Sequence, residues 1–258
     1  MTRPRGFFVT GTDTGVGKTV VACALARGLR RRGLRVGVLK PSETGVPAEG
    51  PADARALREA AGCDEPLTAV CPQPFALPAA PEVSARAEGR GVDMTRIRAC
   101  YDAIHSRHDA TIVEGAGGLL VPLAPGCSMV DLAADLGLPL IVVARARLGT
   151  INHIRLTLEA IRARGLCLAG VVVSHADGAL SPADEANLSW LLEHLGDEVV
   201  GVVPPLAPGQ EVPDEALDWG RLLAARGAER PGTARQPGAA PPPMPMPPGS
   251  GAGPGPAA

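Results

Sequence analysis

Lysine is nearly missing from this chain. Lysine and arginine together number 25, yet the only lysines are Lys18 and Lys40. Arginine supplies every other strong positive charge, so a lysine here marks a place that a planar fork does not serve. Long apolar runs are also missing, and none reaches the ~20 residues needed to span a bilayer. The N-terminal residues Arg3 and Arg5 carry positive charge, but the apolar run that follows stops after Phe7-Phe8-Val9. That is too short for a signal peptide, and the expectation is a cytoplasmic protein. Charge of one sign does not dominate: the formal net charge is −2 over 258 residues. It gives no support to nucleic acid or a membrane surface as a partner. The six cysteines form no Cys-x-x-Cys pair and no zinc-ligand spacing, so they read as free thiols used as small apolar groups. The five histidines show no metal spacing, although His153 and His175 fall near strand ends. No Gly-x-Ser-x-Gly nucleophile motif is present, which argues against covalent hydrolase chemistry.

What is present is concentrated near the start. Phe7-Phe8-Val9 reads as a buried strand that breaks into Gly11-Thr12-Asp13-Thr14-Gly15-Val16-Gly17-Lys18-Thr19, where a helical pattern begins. Strand, glycine-rich loop and helix form a cradle for polyphosphate, with backbone N–H groups, a helix N-terminus and a lysine all directed at it. Thr19 supplies the hydroxyl for Mg²⁺. The strict spacing Gly-x4-Gly-Lys-Thr is not met, because Thr12 stands where the first glycine belongs and Gly11 lies one residue earlier.

The apolar spacing predicts a helix over 18–32, stopped by Gly33, and a second strand over 34–40. That βαβ unit makes the two strands parallel and adjacent or nearly so, and brings Lys40 out on the edge that carries the loop. Further helices are predicted over 53–61, 93–107, 130–136, 182–195 and 214–226, with strands over 109–113, 139–144, 169–173 and 199–203. The run 71–81 is too rich in proline for regular helix or central strand. Glu114 closes the third strand, and a glycine-rich turn is expected after it. A carboxylate there orients Mg²⁺ or its water shell. The alternation predicts a doubly wound α/β fold, a mainly parallel sheet flanked by helices, of the P-loop NTPase-like kind. Residues 1–228 form the single predicted domain. Residues 229–258 are a Pro/Gly-rich tail expected to be disordered.

These motifs resemble one family, the ATP-dependent dethiobiotin synthetases. The resemblance rests on Gly11 to Thr19 with its shifted glycine, Lys40-Pro41 with Thr44-Gly45, and Asp53 opening a helix. It continues through Pro74-Phe75 to Pro81, Ala87-Glu88-Gly89, Glu114-Gly115-Ala116-Gly117-Gly118, Leu148-Gly149 with Ile151-Asn152-His153, Ala169-Gly170 and Pro204. It implies that 7,8-diaminononanoate takes up CO₂ as a carbamate, which attacks the γ-phosphate of ATP. The second amine then displaces phosphate and closes the ureido ring. It implies that Lys18 and Lys40 are catalytic, and that Thr19, Asp53 and Glu114 hold Mg²⁺. Nucleotide falls to Gly15 to Val20, Asp53, Glu114 to Gly117, Ser174-His175 and Val203-Pro204-Pro205. Substrate falls to Thr14, Lys40, Thr44, Gly117, Leu148, Gly149 and Asn152. The last three come from a neighbouring subunit in the family, which implies a homodimer. Ser174-His175 stands where the family often has Asn-Asp reading adenine, so tolerance of CTP or GTP is an expectation.

Two other classes share the loop. A switch ATPase of the septum- or plasmid-positioning kind carries a second lysine in the loop, where this chain has Asp13. The synthetase part of a cobyrinate-type amidotransferase calls for a glutaminase domain downstream.

Overall fold

Strands such as Leu140-Ile141-Val142-Val143 lack polar alternation, so both their faces must be covered. The computed structural model describes residues 6–175 and 178–225. β1 (Gly6–Gly11) leads into α1 (Lys18–Arg31), β2 (Val36–Leu39), β3 (Ser42–Thr44), α2 (Ala52–Ala61), α3 (Leu67–Val70), β4 (Gln73–Phe75), α4 (Pro81–Ala87) and α5 (Met94–Arg107). Then follow β5 (Ala110–Gly118), β6 (Pro122–Ala124), β7 (Cys127–Ser128), α6 (Met129–Leu136), β8 (Leu140–Arg145), α7 (Thr150–Ala163), β9 (Leu168–Ser174), α8 (Pro182–Leu195), β10 (Val199–Val203) and α9 (Trp219–Ala224). The expected tail 229–258 and the domain boundary at 228 lie outside the described residues. Among the described residues no helix is long and apolar enough to cross a membrane.

Six parallel strands form the central sheet in the order β10-β9-β8-β1-β5-β2. The predicted doubly wound, mainly parallel sheet is therefore what forms. Phe7 and Val9 join a core with α1 and α2 on one face. Phe8 faces the other way, toward α5, α6, α7 and α8. β1 sits where the strand order reverses, and ligands collect at such a point beyond the strand ends.

Two expectations are corrected, for Glu114 and for the last helix. Glu114 is not followed by a turn: β5 continues to Gly118, which pairs with Gly11 beside the loop. The run 71–81 stays out of the central sheet, as expected, and β4 within it pairs in parallel with β3 as a separate small sheet. The helix expected over 214–226 is broken. Asp214–Ala216 is a 3-10 turn, Leu217 bridges to Gly201, and helix restarts at α9. Asp218 causes the restart, because its carboxylate accepts the Arg221 N–H at 3.0 Å and caps the new helix. The β6–β7 hairpin and α4 were not anticipated from the sequence.

Trp219 shows why the chain bends there. Its indole lies over α1, where a Cβ on Gly28 would stand 1.9 Å from the ring. The Arg32 guanidinium covers the ring at 3.9 Å, and the indole N–H donates to the Asp214 carbonyl at 3.1 Å. Gly28→Ala gains about 1 kcal/mol of helix propensity. It nevertheless displaces Trp219 at a cost of about 1–3 kcal/mol, so a denaturant titration is expected to show a net loss of up to about 2 kcal/mol.

Candidate active site

The loop between β1 and α1 adopts its shape because two glycines take positive φ, Gly15 at 71° and Gly17 at 94°. No described non-glycine residue has positive φ, so Thr12 fits in ordinary backbone. The close approach falls instead on Gly11, where a Cβ would stand 2.8 Å from the Asp13 carbonyl oxygen. The glycine belongs one residue early because that is where the loop crowds itself. α1 has no side-chain cap and no acid in its first turn. Its leading N–H groups are left for an anion.

β5 lies between β1 and β2, and its register places Leu39 beside Val113 and Val9 beside Glu114. Lys40 and Glu114 each follow the Leu39–Val113 pair, so they meet. Lys40 Nζ donates to Glu114 Oε1 at 2.5 Å and to Asp53 Oδ2 at 2.8 Å. Thr19 Oγ1 donates to the same Glu114 Oε1 at 2.9 Å. Glu114 Oε2 is buried with no protein partner. Lys18 Nζ donates back to the Asp13 carbonyl at 2.9 Å.

Charge in this cluster is under tension. Burial pushes Lys18 down from 10.5 to about 8, and neighbouring Lys40 pushes the same way. Burial also opposes the charge on Lys40, but the Glu114 and Asp53 carboxylates outweigh it and hold Lys40 above its ordinary range. Burial raises the Glu114 carboxyl against the pull of Lys40. A lysine lowered from 10.5 to about 8 weakens the fold while it stays charged, below pH 8. Between those two values the unfolded chain binds more protons, so this group's contribution makes stability rise with pH. Thermal melts across that window are expected to show the rise, and Lys18→Met to abolish it.

A cleft of about 650 Å³ opens over these groups, lined by Thr14, Gly15, Gly17, Lys18, Thr19, Val20, Lys40, Thr44, Asp53, Glu114, Ala116 and Gly117 among others. Most expected site residues thus converge. Ser174 is buried at the end of β9 beside the loop, where a Cβ on Gly17 would stand 3.0 Å from its hydroxyl. The His175 N–H donates to Val203 O at 3.1 Å, ahead of Pro204 and Pro205. These strand ends lie outside the cleft lining, as do Val16 and Gly115. Leu148, Gly149 and Asn152 also stand apart, and Leu148 is 85% exposed. His153 lies in the first turn of α7 and is exposed.

Two further residues shape the site. The Glu43 carboxylate accepts the N–H groups of Asp53 and Ala54, each at 3.0 Å, and so caps α2 from ten residues upstream. Pro51, at the cap position, has no side chain for that task. Arg145, at the end of β8, donates to the Gly15 carbonyl at 2.8 Å and braces the loop. Neither position carries a sequence signal of its own, because each contact depends on how distant segments meet.

Among the described residues no group of three or more His, Cys, Asp or Glu side chains is gathered for a metal. The cleft does offer the Thr19 hydroxyl, the Asp53 carboxylate and the unpartnered Glu114 Oε2, an oxygen set that suits a hard divalent cation sharing its shell with phosphate and water.

Sheet order, loop and cleft define a P-loop nucleotide-binding enzyme. A family model described as an AAA domain matches residues 5–211. An ATP-dependent dethiobiotin synthetase from Anaeromyxobacter dehalogenans is 50% identical, covering 86% of this chain and 98% of its own length. One from Aromatoleum aromaticum is 44% identical over 80% of this chain and 93% of its own. One from Bacillus cereus is 39% identical over 83% and 88%. The chain belongs to the ATP-dependent dethiobiotin synthetase family, and is thus an ATP-dependent ligase. The switch-ATPase and amidotransferase classes are not favoured by these relatives.

Proposed function

We propose that this enzyme carboxylates one amine of 7,8-diaminononanoate with CO₂ and closes the ureido ring at the expense of ATP. One observation carries the reading. The chain's only two lysines are both buried in one cleft, near enough for Lys40 to depress the pKa of Lys18. Two cations held together in this way are matched by ligands that bring several negative charges between them.

Lys18 neutralises the β- and γ-phosphates. Lys40 bridges the carbamate and the γ-phosphate, two anions that otherwise repel. The carbamate oxygen then attacks phosphorus, the bond to the bridging oxygen breaks, and ADP leaves. The second amine attacks the carbamate carbon of the resulting carbamic–phosphoric anhydride and loses a proton, and phosphate departs with the ring closed. Thr19, Asp53 and Glu114 hold Mg²⁺, which when bound neutralises charge on the transferred phosphoryl group. The protein's part is positioning and charge stabilisation.

The reading takes residues 1–228 as one cytoplasmic synthetase domain acting as a homodimer. Leu148, Gly149 and Asn152 stand off their own cleft, which supports their serving the substrate carboxylate of a neighbouring subunit. Gly149 precedes α7 without a side-chain cap, so N–H groups remain for that carboxylate.

Phosphate release with MgATP, diaminononanoate and bicarbonate, each omitted in turn, tests the reaction. Release that ignores the diamine would sink it. Nucleotide phosphates also raise the pKa of Lys18, so ATP binding takes up a proton above about pH 8. ATP affinity is expected to fall by up to about tenfold per pH unit there, read by titration calorimetry at several pH values.

A further inference from the structure

The Ser42 hydroxyl is buried in the wall of the cleft and has no protein partner. Ser42 is 0% exposed, and its Oγ makes no hydrogen bond. Ser84, equally buried in α4, shows the ordinary solution: its hydroxyl donates to the Leu77 carbonyl at 2.9 Å. Glu43, the next residue, has both oxygens engaged by α2. Burial without a partner leaves a hydroxyl short of the bonds it makes in water, and such a group is matched by a ligand or is a liability.

Position decides between these. Ser42 opens β3 and lines the cleft together with Lys40 and Thr44. In a strand, residues two apart share a face, so Ser42 and Thr44 point the same way. Pairing of Ser42 with Gln73 and Thr44 with Phe75 fixes that wall. Another orphaned oxygen of the cleft lining, Glu114 Oε2, belongs to a carboxylate assigned above to Mg²⁺. A hydroxyl can donate to an anion, and the anion proposed beside Lys40 is the carbamate.

We propose that Ser42 is a substrate-contacting residue, its hydroxyl donating to a carbamate oxygen as that group forms next to Lys40. This is separate from the Thr44 contact and rests on the synthetase reading given above. The bond forms only when substrate is present, so the hydroxyl serves turnover at the expense of stability.

Ser42→Ala tests it. The expected result is a fall of about tenfold to a hundredfold in kcat/KM for the diamine, the range of a lost hydrogen bond to a charged group. The apparent KM for bicarbonate should rise, the KM for ATP should hold, and Tm should stay level or increase. A diamine kcat/KM within about twofold of the parent overturns the proposal. So does a loss that comes with a lower Tm and a weaker ATP interaction, which marks a structural serine. Failure of the synthetase reading itself appears separately, as diamine-independent phosphate release by the unaltered enzyme.

Discussion

Lys40→Ala is expected to lower turnover by about three orders of magnitude or more, while MgATP still binds within a few-fold of the parent affinity. The asymmetry follows from position. The loop, the N-terminus of α1 and Lys18 hold the polyphosphate without Lys40. What disappears is the cation between carbamate and γ-phosphate, whose attraction matters most as the two anions approach. Single-turnover phosphate release and nucleotide titration separate the two effects. Near-normal turnover would remove Lys40 from the mechanism. The substitution also leaves Glu114, 0% exposed, without its main charge partner. Breaking such a buried pair typically costs about 3–5 kcal/mol unless the carboxylate takes up a proton. A Glu114 pKa raised further above the unfolded value of 4.5 makes folding take up a proton above that pH. The variant's deficit in stability should therefore widen as pH rises through the carboxylate range. Lys40→Gln keeps a donor for Glu114 and isolates the loss of charge from the loss of packing. Lys18 reports on the same change: without Lys40 its pKa should climb back from about 8 toward 10.5.

The second large effect is Glu114→Gln. An amide preserves shape but carries no charge, and its NH₂ end cannot bind a cation. The Mg²⁺ concentration for half-maximal turnover should rise at least about tenfold, and turnover at saturating ATP should fall by about a hundredfold to a thousandfold. A Mg²⁺ titration at fixed ATP reads both. An unchanged Mg²⁺ requirement with full activity would mean that Glu114 is only the counterion of Lys40. The comparison with Lys40→Ala is informative, because the two residues share one hydrogen bond and yet are assigned to opposite charges.

Much of the site is legible in the sequence. The glycine loop, Lys18 and Thr19 sit within nine residues, and local spacing fixes their relation. Lys40 stood out because lysine is so rare here and because a βαβ unit delivers it to the same edge. Glu43, Arg145 and Ser42 were not legible. Glu43 caps a helix it does not belong to, Arg145 crosses from β8 to a loop far upstream, and Ser42 matters only because nothing in the fold satisfies it. The final helix is broken for a related reason. Its periodicity is real, but Trp219 finds a better place on Gly28, and Asp218 restarts the helix there.

The sequence by itself determined that a phosphate loop exists, that the sheet is parallel and doubly wound, and that two scarce lysines reach one edge. These depend on local spacing, on apolar runs and on the handedness of βαβ units. Only the tertiary structure decided that β5 is inserted between β1 and β2. That insertion sets Glu114 between Lys40 and Thr19, and it turns an ordinary strand-end carboxylate into the centre of the site. Which strands become neighbours depends on packing across the whole sheet, and no local segment carries that information.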